Sequence, residues 1–178
     1  MGTESGGSFA GSSQHEIPGR ASRARSPFRF ALEYDPQMRI TLPEHHLSID
    51  PGAEWVADPM DPAASHLGLY LRSIEHGVYL NVRAQQTGGH SPTREGLVAF
   101  LREQDWASAP FDEWATTSGA LTAVGGTFET TGMGGEVVLE VFVTDGHSVA
   151  NLAGPGDREV IASLTPSVKR LVGTLAFE

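Results

Sequence analysis

The chain contains no cysteine. Within these residues a disulfide framework, a thiolate nucleophile and a zinc–thiolate site are therefore excluded, and neither a lipid-anchored cysteine nor a bacterial lipoprotein is expected. Lysine is almost missing too: Lys169 stands alone beside eleven arginines. No apolar run approaches the roughly 18 residues that a membrane-spanning helix needs, and the N-terminal stretch lacks the continuous apolar segment of a secretory signal. A soluble, cytoplasmic chain without a membrane span is the expectation. The net charge of −10 adds another exclusion. Arg20, Arg23, Arg25 and Arg29 outnumber Glu4 and Glu16 in the first 29 residues, so the remainder is more acidic than the total suggests. Phosphate contacts supply most nucleic-acid affinity, and an acidic body argues against that class of partner.

What is present organises itself after a polar start. Residues 1–26 are rich in Gly, Ser and Arg, with too few large apolar side chains to offset the entropy of ordering, and are expected to be a disordered tail. Residues 27–178 suffice for one domain with a core of ordinary size. Phe28, Phe30, Leu32 and Tyr34 alternate with polar neighbours as in a half-buried strand, and Met38–Leu42 reads as its partner, stopped by Pro43. The span from Glu44 to Ser65 holds Asp50-Pro51, Asp58-Pro59 and Asp61-Pro62 around Trp55, which predicts a long irregular connection with one aromatic anchor. Leu67–Ile74 and Val78–Arg83 read as two more strands. Ser91-Pro92 predicts a helix start, followed by the apolar stripe Leu97, Val98, Phe100 and Leu101. A loop through Trp114 then leads to a strand over 120–129, bent at Gly125-Gly126.

The strongest local signal is the pair of β-rich runs Glu136–Thr144 and His147–Ala153, joined by Asp145-Gly146. Asp-Gly predicts a two-residue primed turn with positive φ at both central positions. Along the first run Val137, Leu139, Val141 and Val143 share one face and belong against a core. Val138, Glu140, Phe142 and Thr144 share the second, which is expected to be wet or covered by another molecule. Asp157 then predicts a helical turn over Val160, Ile161 and Leu164; Thr165-Pro166 predicts a separate last helix, and a short strand over Thr174–Phe177 closes the chain.

Strands in antiparallel hairpins, with helices packed on one face, define an α+β sandwich. The order of elements, the hairpin that runs into Leu42-Pro43 and an irregular stretch, and the closing helix followed by Leu175-Ala-Phe177 resemble the PsbP-like fold. That fold is shared by photosystem accessory proteins, a Ran-binding import factor family, LpqN-type lipoproteins and Eag-type effector chaperones. The chain departs from the LpqN type in lacking the lipidated cysteine. It also has Glu44-His45-His46 after Leu42-Pro43 where many members have a Gly-Trp pair. What the resemblance implies is a binding or chaperone module, because most members are not catalytic.

The candidate chemical motifs are weak beside this. His45 and His46 are neighbours, and neighbours on a strand point opposite ways; no His-Glu-x-x-His helix exists, so no metal site is expected. Gly146-His-Ser-Val-Ala150 has the outline of a nucleophile elbow, but a strand follows the serine where the elbow requires a helix. Neither glycine pair precedes a helix, so no phosphate cradle and no cofactor are expected. The functional reading is a non-enzymatic protein-binding module, in concrete form a secretion-linked chaperone or adaptor. Met133, Val138, Glu140 and Phe142 form its partner surface on an exposed sheet face, and self-association through the same face stays open. The alternative is a small hydrolase or isomerase-like enzyme using Glu44, His45 and His46 in a pocket between sheet and helices, or a ligand-carrying domain.

Overall fold

The structure, a computed structural model, describes residues 39–58, 66–86, 89–104, 109–130 and 136–178. The expected tail, the strand over Phe28–Tyr34 and the loop carrying Met133 lie outside these residues.

Two antiparallel sheets organise the chain. The small one consists of β1 (Ile40–Leu42), β2 (Leu47–Ile49) and β10 (Ala176–Phe177), with β2 in the middle. The large one has seven strands: β3 (Trp55–Ala57), β4 (Leu69–Ser73), β5 (Tyr79–Ala84), β6 (Phe111–Ser118), β7 (Leu121–Glu129), β8 (Glu136–Thr144) and β9 (Val149–Asp157), in the spatial order β3-β4-β5-β9-β8-β7-β6. The β8–β9 hairpin is therefore central, as its long β-branched runs suggest. Thr144 pairs with Val149, so the connection is the four-residue turn 145–148 and not a two-residue primed turn. Only Gly146 has positive φ there. Asp145 acts through its side chain instead, its Oδ1 accepting from the N–H groups of His147 and Ser148. Burial pushes the Asp145 carboxyl up, but the backbone donors of Ser148 and His147 prevail and hold it below the usual range.

Several other expectations change in detail. The span 44–65 contains the strands β2 and β3; Trp55 is the anchor expected, fully buried, with its indole N–H donating to Ser167 Oγ. β1 pairs with β2. The segment around Trp114 is the edge strand β6, not a loop, and its carboxylates Asp112 and Glu113 obscured the pattern. The irregularity expected at Gly125-Gly126 lies across from them in β6, between Phe111 and Trp114, where Asp112 has φ +51°. The two glycines are flat and serve close packing: a Cβ on Gly125 would strike the Trp114 ring, and one on Gly126 would crowd Pro110 and Leu101.

Helix α1 (Arg94–Arg102) starts two residues later than Ser91-Pro92 implies, because Thr93 Oγ1 accepts from the Gly96 N–H and so provides the N-cap. Helix α2 (Arg158–Val172) is continuous through Pro166, where two short helices were expected. Proline removes one intrahelical donor at a cost of about 3 kcal/mol in an isolated helix. Ile161, Leu164, Val168, Leu171 and Val172 form one buried stripe that spans the proline, and their packing overrides it.

The α+β class and the antiparallel sheet are as expected; the placement of α1 is not. α2 packs its stripe on the first face of the large sheet, against Val137, Leu139, Val141 and Val143 of β8 and Leu152 of β9, and Leu42, Leu47 and Ile49 of the small sheet join the same core. α1 lies on the opposite face, where Leu97 and Leu101 pack with Val124, Phe128, Phe142 and Val149. Its short stripe fits the second face because that face also presents large apolar residues on β7 and β8, a feature that treating each strand alone did not weigh.

Candidate functional site

The second face of the large sheet falls into two halves. Over β7 and β8 it is closed by α1, where the Phe100 and Phe142 rings meet edge to face at 4.9 Å. Over β4 and β5 no described residue covers it. Alternation sends Leu69, Leu71, Leu80 and Val82 into the first-face core and turns Tyr70, Arg72, Tyr79, Asn81 and Arg83 outward. Tyr70 pairs with Asn81 and Arg72 with Tyr79. Tyr70 is 44% and Tyr79 43% exposed; with Leu67 and Ile74 at the ends of the hairpin, they are the large apolar side chains left exposed among the described residues. Neither Arg72 nor Arg83 forms an ion pair among the described residues, and β4 and β5 carry no carboxylate.

Two rows of paired residues cross from the open half to the closed half. One runs Asn81, Ala153, Glu140, Gly126; the next runs Arg83, Asn151, Phe142, Val124. Glu140 and Asn151 therefore meet at the seam. Glu140 is 8% and Asn151 1% exposed. Asn151 Nδ2 donates to Glu140 Oε1 at 3.2 Å, while Glu140 Oε2 and Asn151 Oδ1 are buried without a hydrogen-bond partner. Burial drives the Glu140 carboxyl above the usual glutamate range; the Asn151 amide and then the Arg83 charge oppose this without cancelling it.

The residues expected to contact a partner thus have different fates. Phe142 is core, packed beneath α1. Val138 is half-buried. Glu140 is enclosed at the seam and not wet, and Met133 lies outside the described residues. The open surface is displaced from β8 to β4 and β5. Its signal was present in the sequence, since Tyr and Arg hold four of the five outward positions of the two strands, Asn81 the fifth, but their orientation depended on pairing.

Three histidines gather in a second place. A cleft of about 500 Å³ is lined by His45, His46, His147, Ser148, Gln85 and Phe177, among others. His45 and His46 can share it because their backbone is irregular: Pro43–His45 form a 3-10 turn and His46 is left-handed, with φ +49°. The Ala84 N–H donates to His45 Nδ1 at 3.2 Å. Among the described lining residues neither Glu44 nor another carboxylate is found. Ser148 immediately precedes β9, so a strand does follow it. Among the described residues no group of three or more His, Cys, Asp or Glu side chains is placed to hold a metal ion.

The architecture defines the molecule as an α+β protein of PsbP-like fold. The solution structure of cyanobacterial PsbP (CyanoP) from Synechocystis sp. PCC 6803 superposes on it with a TM-score of 0.50 at 9% identity, covering 79% of this chain and 92% of that one. LpqN, involved in cell envelope biogenesis of Mycobacterium tuberculosis, gives a TM-score of 0.49 at 14% identity over 73% of this chain and 82% of its own. No protein-family model matches the sequence, and no curated protein matches it. No helix among the described residues is long and apolar enough to cross a membrane.

Proposed function

We propose that the protein is a non-enzymatic accessory module that binds another protein through the open half of its second sheet face. The observation that carries this reading is the grouping of Tyr70 and Tyr79, 44% and 43% exposed, with Arg72 and Arg83 on one surface that no described residue covers. Tyrosine and arginine are the residue types enriched where protein partners dock, since they offer large contact area with polar ends. Two arginines without an ion pair among the described residues favour a partner segment bearing carboxylates. A cytoplasmic chaperone or adaptor is the concrete form of this reading. The histidine cleft supports the enzymatic alternative less well, because the described residues of its lining are histidines, amides, a serine and apolar groups, without a nucleophile–base–acid set.

The test is capture from native extract by the tagged chain and by a Tyr70→Ala/Arg72→Glu/Tyr79→Ala variant of equal stability. One protein recovered by the first and lost by the second is the expected result. Equal recovery by both would remove the open face from the interface.

A further inference from the structure

The seam pair Glu140 and Asn151 has an unbalanced hydrogen-bond account. An ionised glutamate has acceptors only, and an asparagine amide brings one acceptor of its own. In the ionised state the pair holds one N–H···O bond and leaves Glu140 Oε2 and Asn151 Oδ1 buried and bare. Each bare acceptor forfeits its hydration on folding. One proton removes both defects. Placed on Oε2, it would turn one bare acceptor into a donor, with Asn151 Oδ1, the other bare acceptor, on the residue already bonded to Oε1.

The surroundings give the negative charge little support. From β5, Arg83 is the cation that faces the pair among the described residues. From β7 the neighbours on this face are Val124, Gly126 and Phe128, none of them charged. β9 contributes neutral Ala153, with Asp157 at its far end opposite Glu136. α1 turns Leu97 and Leu101 inward, while its Arg102 is held by Glu113 and the following Glu103 by His90.

We propose that Glu140 carries a proton in the folded chain, donated to Asn151 Oδ1, and that this proton keeps a negative charge away from Arg83 and the open face where an acidic partner segment docks. The second half rests on the reading of the open face given above. Losing the proton places a carboxylate beside Arg83, partly cancels the charge that attracts the partner, and leaves the two acceptors bare.

The experiment compares the full chain with Glu140→Gln. Glutamine supplies the N–H and the C=O that the protonated acid would, with no titration. Because the folded state holds the proton more tightly than the unfolded chain does, the wild type loses stability as pH rises above the ordinary glutamate range and through its folded titration. Thermal unfolding from about pH 5 to about pH 8 is expected to open a gap of about 2–6 °C in favour of the variant. Histidine titrations are common to both proteins and cancel. Parallel profiles, or a wild type that gains on the variant with pH, overturn the proposal. Should the variant not fold, the side-chain carboxyl carbon resonance of Glu140 in the unaltered chain decides: titration above the usual glutamate range supports the proton, and titration within it refutes it. A poly-glutamate peptide is then the docking probe. Its affinity for the wild type is expected to fall about threefold to tenfold over the same rise in pH and to stay level for Glu140→Gln. Equal pH dependence in both overturns the regulatory half. No peptide binding at any pH, with the thermal gap present, overturns the acidic-partner reading and leaves the proton on Glu140 standing.

Discussion

The two faces of the large sheet are built from the same strands and end in different physical states. The first is sealed across its centre, where α2 contributes five buried side chains and the small sheet adds Leu42, Leu47 and Ile49. The second is sealed only as far as α1 reaches, over β7 and β8, and beyond that it presents tyrosine and arginine to solvent. Alternation makes both faces possible, but the helix laid on each decides which becomes core. Where the cover ends, the sheet changes from a source of stability to a surface that can bind. The buried polar pair Glu140 and Asn151 marks that limit.

Phe142 and Tyr79 offer the sharpest way to break this comparison, because both are aromatic and both lie on the second face. Phe142→Ala is expected to cost about 3–5 kcal/mol in denaturant unfolding, since it empties the contact with Phe100 and unseats α1. Any loss of partner binding in that variant should track the loss of folded protein; selective loss with stability intact would return Phe142 to the interface. On the sealed face Leu164→Ala should cost about 2–5 kcal/mol, and a value near zero would mean that α2 is not the cover described. Gly154→Ala tests the junction of the open strands with the center. Its Cβ would strike the Tyr79 carbonyl and the Leu80 side chain, and overpacking of this kind should cost about 1–3 kcal/mol by equilibrium unfolding. Thr93→Ala removes the α1 N-cap and should lower stability by about 1 kcal/mol, with hydrogen exchange rising first in α1 and leaving α2 protected. Tyr79→Ala closes the series. Its stability effect should stay within about 0.5 kcal/mol, yet it should weaken partner capture at least about tenfold.

Much of this arrangement could be read from local pattern. The Val137, Leu139, Val141 and Val143 face of β8 was legible because β-branched residues at period two have no other good use, and all four are buried against α2 as their spacing requires. Trp55 was legible as an anchor amid prolines. The two-residue turn at Asp145-Gly146 was misread because the same dipeptide also suits a longer turn, in which the aspartate works through its side chain. β6 was missed because an edge strand needs no apolar alternation and this one carries carboxylates against pairing with other chains.

By itself the sequence determined the α+β class, the central hairpin, the core face of β8 and the absence of any thiol chemistry, because these follow from composition and from spacing along a few residues. Tertiary structure alone decided that α1 crosses to the second face, that α2 runs unbroken through Pro166, and that Phe142 is buried while Tyr70 and Tyr79 are not. Each of those depends on which distant segment comes to lie over a given strand. The burial of a side chain is a property of its cover, and local alternation fixes only the face on which it waits.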